Sequence, residues 1–328
     1  MAFMCGLETV LEVEGKLPFD VVFVVEGEEE LGSISMPRFV EDHKQELMGA
    51  GGVYFQEMTE NKQGKPAVIL GNKGIIFLEL KCVKASSDVH SSLAQGIVSS
   101  VARIIHAISS LIGPRGEVLV EELYDDVEIP SRDLEFLKDL MEYFRLEELV
   151  EEHGVKELRC SDEEFYRKVF FEPSINVDGI EAGYMGSGTK TITPPEARAR
   201  IAVRLVPNMN PARTLEKIIN YLNKRGFQDV DVIVHDMYDW SKTDIEHPLV
   251  NTSIQAYRNL GFEPCIVPMM PGSAPFYLFN KLLKLPVVGA GLGYGARAHA
   301  PNEYITVDGF KRSIMYTISF IKEYGRIA

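Results

Sequence analysis

Residues 20–26 (DVVFVVE) form an apolar run bounded by acids, and they lead directly into the acidic cluster EGEEELGS at 26–33. A short run without polar alternation suits a strand buried on both faces, and such strands belong to parallel sheets covered by helices. The neighbouring segments support that architecture. Phe3, Met4, Leu7, Val10 and Leu11 have helical spacing, and Gly15 and Pro18 punctuate the chain after them. A second helix is predicted over 38–48 and a strand over 53–56. From about residue 72 the pattern changes. Residues 74–83 (GIIFLELKCV) alternate as a half-buried strand does, 91–111 predict one long helix, and 114–170 are acidic and helix-rich. A further alternating strand covers 198–206, a helix 213–225 and a strand 230–235. Beyond Trp240 helix and strand alternate again, ending in a strand at 287–290, a glycine-rich loop and a helix over 307–324. The expected fold class is α/β. A helix-flanked, mostly parallel sheet is made from residues 1–72 plus 237–328, with an α+β domain of residues 73–236 inserted in it.

Length and composition narrow the function. A chain of 328 residues suits two domains better than one or three. Its 45% hydrophobic and 25% charged residues are those of a packed globular protein, not a disordered one. No apolar run approaches the ~20 residues of a membrane-spanning helix. A net charge of −14 argues against nucleic acid as a partner, because phosphate binding needs a basic surface. Cys5, Cys82, Cys160 and Cys265 form no CxxC pair and read as reduced thiols. The first fifteen residues carry Glu8, Glu12 and Glu14 and no basic cluster, unlike a secretory signal, so a cytoplasmic location is expected.

The acidic cluster carries the chemistry. Glu26, Glu28, Glu29 and Glu30 lie where the predicted strand ends, the position at which open α/β sheets place their sites. A solvated acidic loop is the plain alternative. Against it, adjacent carboxylates repel, and a site that keeps two of them ionised usually holds a cation.

EGEEELGS resembles the EGxEExGS motif of the dizinc metallopeptidases that include carnosinase-type dipeptidases, glutamate carboxypeptidases and the acetylornithine and succinyl-diaminopimelate deacylases. The resemblance implies that Glu29 is the general base and Glu30 a metal ligand. His299, in ARAHAPNEYI, matches the family's C-terminal histidine motif and would share the metal of Glu30. Glu57, in YFQEMTE, stands where the family has the acidic ligand of the second metal, with Gln56 at the adjacent position. SSDVHSSLAQG resembles the DxHS segment whose histidine crosses a dimer to stabilise the oxyanion in the partner's site, a role that falls on His90. In the stretch EPSINVDGIEAGYMGSGTKTITPPEARARIAVRLVPNMNP, close to the carnosinase-like branch, Thr191 and Arg204 occupy positions that bind the substrate's main chain and terminal carboxylate. His235 corresponds to a further substrate-contacting histidine.

The resemblance therefore implies two divalent ions, zinc first with manganese or cobalt as alternatives, and a homodimer formed through the inserted domain. The substrate would be a dipeptide or short peptide cleaved beside a free carboxylate, or alternatively an N-acyl amino acid. Neither membrane nor nucleic acid is an expected partner. Two departures stand out. The family's H-x-D histidine and bridging aspartate precede a helix like residues 2–13, so an N-terminally truncated member is expected. Its donor set would be incomplete, its metal weakly bound or absent, and an inactive dimeric fold is the third reading. In VPMMPGSAPFYLF, which resembles the RxGGSIP substrate loop, Met269 replaces the arginine and Pro271 a glycine, leaving Ser273 to bond the substrate carboxylate.

Overall fold

The computed structural model describes residues 1–298 and 300–328. The chain forms two compact units, one of Met1–Asn72, Ile129–Phe170 and Ser241–Ala328, the other of Lys73–Glu128 and Phe171–Trp240. This differs from the expected partition in the acidic segment 129–170, which belongs to the first unit. Helix Leu137–Tyr143 packs on strand Cys265–Val267. The Tyr143 hydroxyl donates to the Thr59 carbonyl, and Asn61 Nδ2 donates to the Tyr143 carbonyl at 3.1 Å. Residues 237–240 fall in the second unit instead, because strand Asp231–Tyr238 stays in its ladder, with Met237 opposite Ile76 and Tyr238 opposite Ile75.

The first unit holds a helix-flanked sheet. Strand Val53–Gln56 runs parallel to Val287–Ala290, which is antiparallel to Ala67–Ile69, itself parallel to Cys265–Val267. The inner strands are buried at every residue, as two covered faces require. On one face Val68, Val288 and Ala290 pack with Tyr257, Tyr316 and Phe320 of helices Pro248–Arg258 and Val307–Tyr324. On the other, Val287 meets Met36, Val40 and Phe279. Helix Ala2–Glu14 ends at Gly15 in the left-handed region and lies against the last helix through Leu7, Val10 and Ile321. A side chain at Gly6 would stand 2.5 Å from Thr317 Cγ2, so this close crossing requires glycine.

The predicted strand over 20–26 is absent. Among the described residues it has no ladder partner, and Val22, Phe23 and Val25 are exposed, Val25 at 87%. Val21 and Val24 pack inward, and the Phe23 ring meets Phe3 edge to face at 5.7 Å. Apolar composition is not enough where backbone N–H and C=O groups find no second strand. The helix over 38–48 is broken at His43 into Met36–Asp42 and Lys44–Leu47. The helix over 91–111 becomes a 3₁₀ segment, Ser91–Gly96, followed by Ser100–Leu111, whose start is set by Ser99 Oγ accepting the Ala102 N–H at 3.2 Å.

The second unit is an antiparallel sheet in the order Ser174–Ala182, Glu196–Leu205, Gly74–Val83, Asp231–Tyr238. Alternation sends Ile76, Leu78, Leu80, Ile201, Val203 and Leu205 into a core with helices Ser100–Leu111 and Pro211–Lys224. The opposite face carries Phe77, Glu79 and Lys81 on one central strand, and Arg198, Arg200 and Arg204 on the other.

A charged clamp ties this unit's helix to its loops. Arg103 Nε donates to Asp229 Oδ2 at 3.0 Å and its Nη2 to Oδ1, Lys84 Nζ lies 2.6 Å from Asp229 Oδ2, and Arg103 also covers the Phe227 ring at 4.6 Å. The Arg103 hydrogen bonds, with Lys84 behind them, hold the Asp229 carboxyl well below the usual carboxylate range. A depressed folded pKa contributes stability above the unfolded value of about 4 and loses it as pH falls toward the folded value. Asp229→Asn should therefore lower stability at pH 7 by about 1 kcal/mol, given the clamp's partial exposure. In thermal melts the deficit should narrow steadily from about pH 4 toward pH 2.

Candidate active site

The acidic turn divides its four glutamates into two roles. The Glu28 carbonyl accepts the N–H groups of Leu31 and Ser33 at 2.9 and 2.8 Å, and the Glu29 carbonyl accepts that of Gly32 at 3.0 Å. Gly32 sits at φ 93°, which favours glycine. Glu28 Oε2 accepts the Ser35 N–H at 3.0 Å, and Glu26 Oε1 accepts the Ser33 hydroxyl at 2.9 Å. Glu26 and Glu28 thus clasp the loop. Glu29 and Glu30 open the 3₁₀ turn Glu29–Leu31 with exposed side chains.

Glu57 follows strand Val53–Gln56, at the carboxyl end of two parallel strands. Its N–H donates to the Ala290 carbonyl at 3.1 Å, and those of Thr59 and Glu60 continue onto Gly291 and Gly293 at 3.1 and 3.0 Å. This apposition explains the glycines: a Cβ at Gly291 would stand 2.1 Å from the Glu57 carbonyl oxygen, and one at Gly289 2.7 Å from Glu57 Oε1. Tyr257 locks the loop below. Its hydroxyl donates to the Ala67 carbonyl at 2.9 Å, accepts the Gly291 N–H at 2.7 Å and lies 3.0 Å from Thr59 Oγ1. Burial pushes the Glu57 carboxyl up to about 7, and it has no hydrogen-bond partner among the described residues. Its neighbours differ. Glu60 is consumed by Arg312, with Nε to Oε1 at 2.8 Å and Nη2 to Oε2 at 2.5 Å, and Gln56 Nε2 donates to Ser313 Oγ at 2.6 Å. Sequence reading missed the Glu60–Arg312 pair, since the partners are far apart in the chain.

Ser273 is half-buried in the loop after strand Cys265–Val267. Met269, in the place of the expected arginine, is 1% exposed and belongs to the core. His299 lies outside the described residues.

A bare, enclosed carboxylate such as that of Glu57 suits a divalent cation, which would relieve the cost of its burial. Yet among the described residues no three His, Cys, Asp or Glu side chains are placed to hold a metal ion, and a catalytic zinc takes three protein ligands. Glu30 and Glu57 are candidate oxygen donors, and neither belongs to such a group among the described residues.

The second unit carries His90, Thr191, Arg204 and His235. His90 pairs with Ile192 in the short ladder between Val89–His90 and Ile192–Thr193, and the Thr191 carbonyl accepts the Ser91 N–H at 3.1 Å. His90 Nδ1 accepts the Ser92 N–H at 3.2 Å, so a neutral ring carries its proton on Nε2. Asp88, Tyr184, Lys190 and Arg198 line a cleft of about 250 Å³ beside this ladder. Arg204 faces the open side of the sheet, between Ser174 and Ile75. His235 Nε2 lies 3.3 Å from Glu79 Oε2, a pairing no sequence signal announced.

The profile of Peptidase family M20/M25/M40 matches residues 1–323. The β-Ala-His dipeptidase of Homo sapiens is 29% identical over 229 residues, covering 68% of this chain and 44% of that protein. The Cys-Gly metallodipeptidase dug1 of Schizosaccharomyces pombe is 23% identical over 340 residues, 100% of this chain and 71% of that protein. The chain spans about half the length of the β-Ala-His dipeptidases it matches, 44% of the human and 46% of the rat protein. Among solved structures, the M20 family metallo-carboxypeptidase Sso-CP2 of Sulfolobus solfataricus is similar at a TM-score of 0.89 and 32% identity, over 99% of this chain and 75% of that one. Human carnosine dipeptidase 1 shares the fold at a TM-score of 0.79 and 22% identity, over 99% of this chain and 71% of that one.

The glycine loop gives a direct test of the Glu57 seat. Gly291→Ala places a Cβ 2.1 Å from the Glu57 carbonyl oxygen at φ 152° and should cost about 3 kcal/mol or more in chemical denaturation. Gly272→Ala, with nothing within 4 Å of its Cβ, should change stability by less than about 1 kcal/mol.

Proposed function

The chain belongs to peptidase family M20/M25/M40, and on that premise we propose that it serves metal-dependent hydrolysis of an amide bond adjacent to a free carboxylate, in dipeptides or short peptides. The observation that carries this reading is the turn itself, in which Glu26 and Glu28 clasp the loop and Glu29 and Glu30 open an exposed 3₁₀ turn at the site of the family motif.

In this reading Glu29 takes a proton from the attacking water and passes it to the leaving amine. Glu30 with His299 would hold one divalent ion and Glu57 the other, zinc being the first candidate and manganese or cobalt the alternatives. Two such ions would supply Lewis-acid polarisation of the scissile carbonyl. His90, with its proton on Nε2, donates to the oxyanion in the site of a partner subunit. Arg204 offers a fork of donors to the substrate's terminal carboxylate, Thr191 and His235 contact its main chain, and Ser273 adds a hydroxyl. Exposed apolar side chains at Leu93, Ile97, Val98 and Ile105 in the second unit support a homodimer formed through it. Four free cysteines support a cytoplasmic location, and no helix among the described residues is long and apolar enough to cross a membrane.

A second reading is a metal-free dimeric fold without activity. An N-acyl-amino-acid deacylase keeps the same residues and differs only on the acyl side.

The test is hydrolysis of β-Ala-His, Cys-Gly and an N-acetyl amino acid with added zinc, manganese or cobalt, alongside metal analysis. Turnover of a dipeptide is expected, and Glu29→Ala should reduce it by roughly 10²–10⁴-fold with metal content unchanged. Full activity in Glu29→Ala would remove its assignment as base. No bound metal and no turnover of any substrate would leave the metal-free reading. A monomer in sedimentation would remove the partner-site role of His90.

A further inference from the structure

The open face of the second unit's sheet carries one deeply enclosed acid. Glu79, on strand Gly74–Val83, has a side chain 7% exposed, and each carboxylate oxygen has its own partner. Oε2 lies 3.3 Å from His235 Nε2 on the strand to one side, and Oε1 lies 3.8 Å from Arg198 Nη1 on the strand to the other. Arg198 is braced in turn by Glu196, whose Oε1 accepts from its Nη2 at 3.0 Å.

His235 reaches this acid through an irregularity in the ladder. Leu78 pairs with Val234 and Phe77 with Asp236, so His235 is an extra residue with no counterpart. Such a bulge re-aims a side chain, and bulges of this kind are over-represented beside functional sites. Here it places the ring against Phe77 at 6.2 Å and over Glu79, with 41% of the side chain still exposed. Nδ1 has no partner among the described residues.

We propose that Glu79 is a positioning residue, which holds His235 through Nε2 so that Nδ1 presents a fixed acceptor to an N–H group of the substrate. The substrate part of this inference rests on the peptidase reading above, while the positioning of the ring does not. A carboxylate that accepts Nε2–H fixes both the tautomer and the orientation of the ring, as carboxylates do for histidines in many sites. Arg198, 3.8 Å from the other oxygen, adds an ion pair on that side of the carboxylate. Two partners also offset the desolvation that a lone buried charge would suffer.

The experiment uses the full chain with ¹⁵N-labelled histidine, with Glu79→Leu, Glu79→Gln and, for assignment, His235→Gln. In the parent chain His235 should show a protonated Nε2 and an unprotonated Nδ1, and in Glu79→Leu the two nitrogen shifts should move toward each other. Identical His235 shifts in the two proteins would overturn the proposal whatever the activity. Should Glu79→Leu fail to fold, Glu79→Gln, which keeps the volume, must still move those shifts. With a turned-over dipeptide, Glu79→Leu and His235→Gln should each raise KM roughly tenfold with kcat within about twofold, and the double variant should add little to either. Unchanged KM in Glu79→Leu would overturn the substrate role. If no substrate is turned over, the peptidase reading fails and the nitrogen shifts alone decide the role of Glu79.

Discussion

The parallel pairing of Val53–Gln56 with Val287–Ala290 runs on past the strand ends into a contact between two loops, and that contact depends on glycine. Successive N–H groups of Glu57, Thr59 and Glu60 bond to the carbonyls of Ala290, Gly291 and Gly293. At that spacing no side chain fits at 291. The same apposition seats Glu57 at the carboxyl end of parallel strands, lets Tyr257 reach both chains from helix Pro248–Arg258, and carries Glu60 to Arg312 on the last helix. One close backbone approach therefore fixes the sheet register, the buried hydroxyl network and the candidate ligand together. A change there disturbs all three.

The acids of this protein sort by whether the protein itself satisfies them. Glu26 accepts from Ser33 at one oxygen while its other is buried without a hydrogen-bond partner among the described residues, Glu28 accepts from the Ser35 backbone, Glu60 is held by Arg312, and Glu79 is shared by His235 and Arg198. Each has a structural task. Glu57 is enclosed without such a partner, at a cost that only a cation or a proton can offset. Net charge says nothing of this distinction. It arises from where the fold places arginines and serines.

Much of the architecture was legible because it rests on local signals. The alternation in 74–83 and 198–206 reports a sheet with one covered face, and strand 287–290 and helix 307–324 appear where the pattern places them. The acidic segment 129–170 was legible as helical but not as part of the first unit. Its allegiance is set by Tyr143 and Asn61, which meet across a long stretch of chain. Residues 20–26 have the composition of a strand without a ladder, since composition cannot report whether a second strand lies alongside. The motif at 26–33 was legible as chemistry, yet the use of Glu26 and Glu28 as clasps depends on turn geometry that the residue types alone do not specify.

His235 shows the same limit in reverse. Its side chain faces the open side of the sheet because one residue too many sits opposite Phe77 and Leu78, and no hydrophobic period marks that insertion. Strict alternation through residues 231–238 would give the side of each side chain from its parity, and a bulge inverts that parity from one residue to the next. The enclosed Glu79 lies under the inverted position. A carboxylate there is tolerable only if a donor arrives from the neighbouring strand, and the bulge is what delivers the imidazole. Irregular register and buried charge are therefore two sides of one arrangement, each costly without the other.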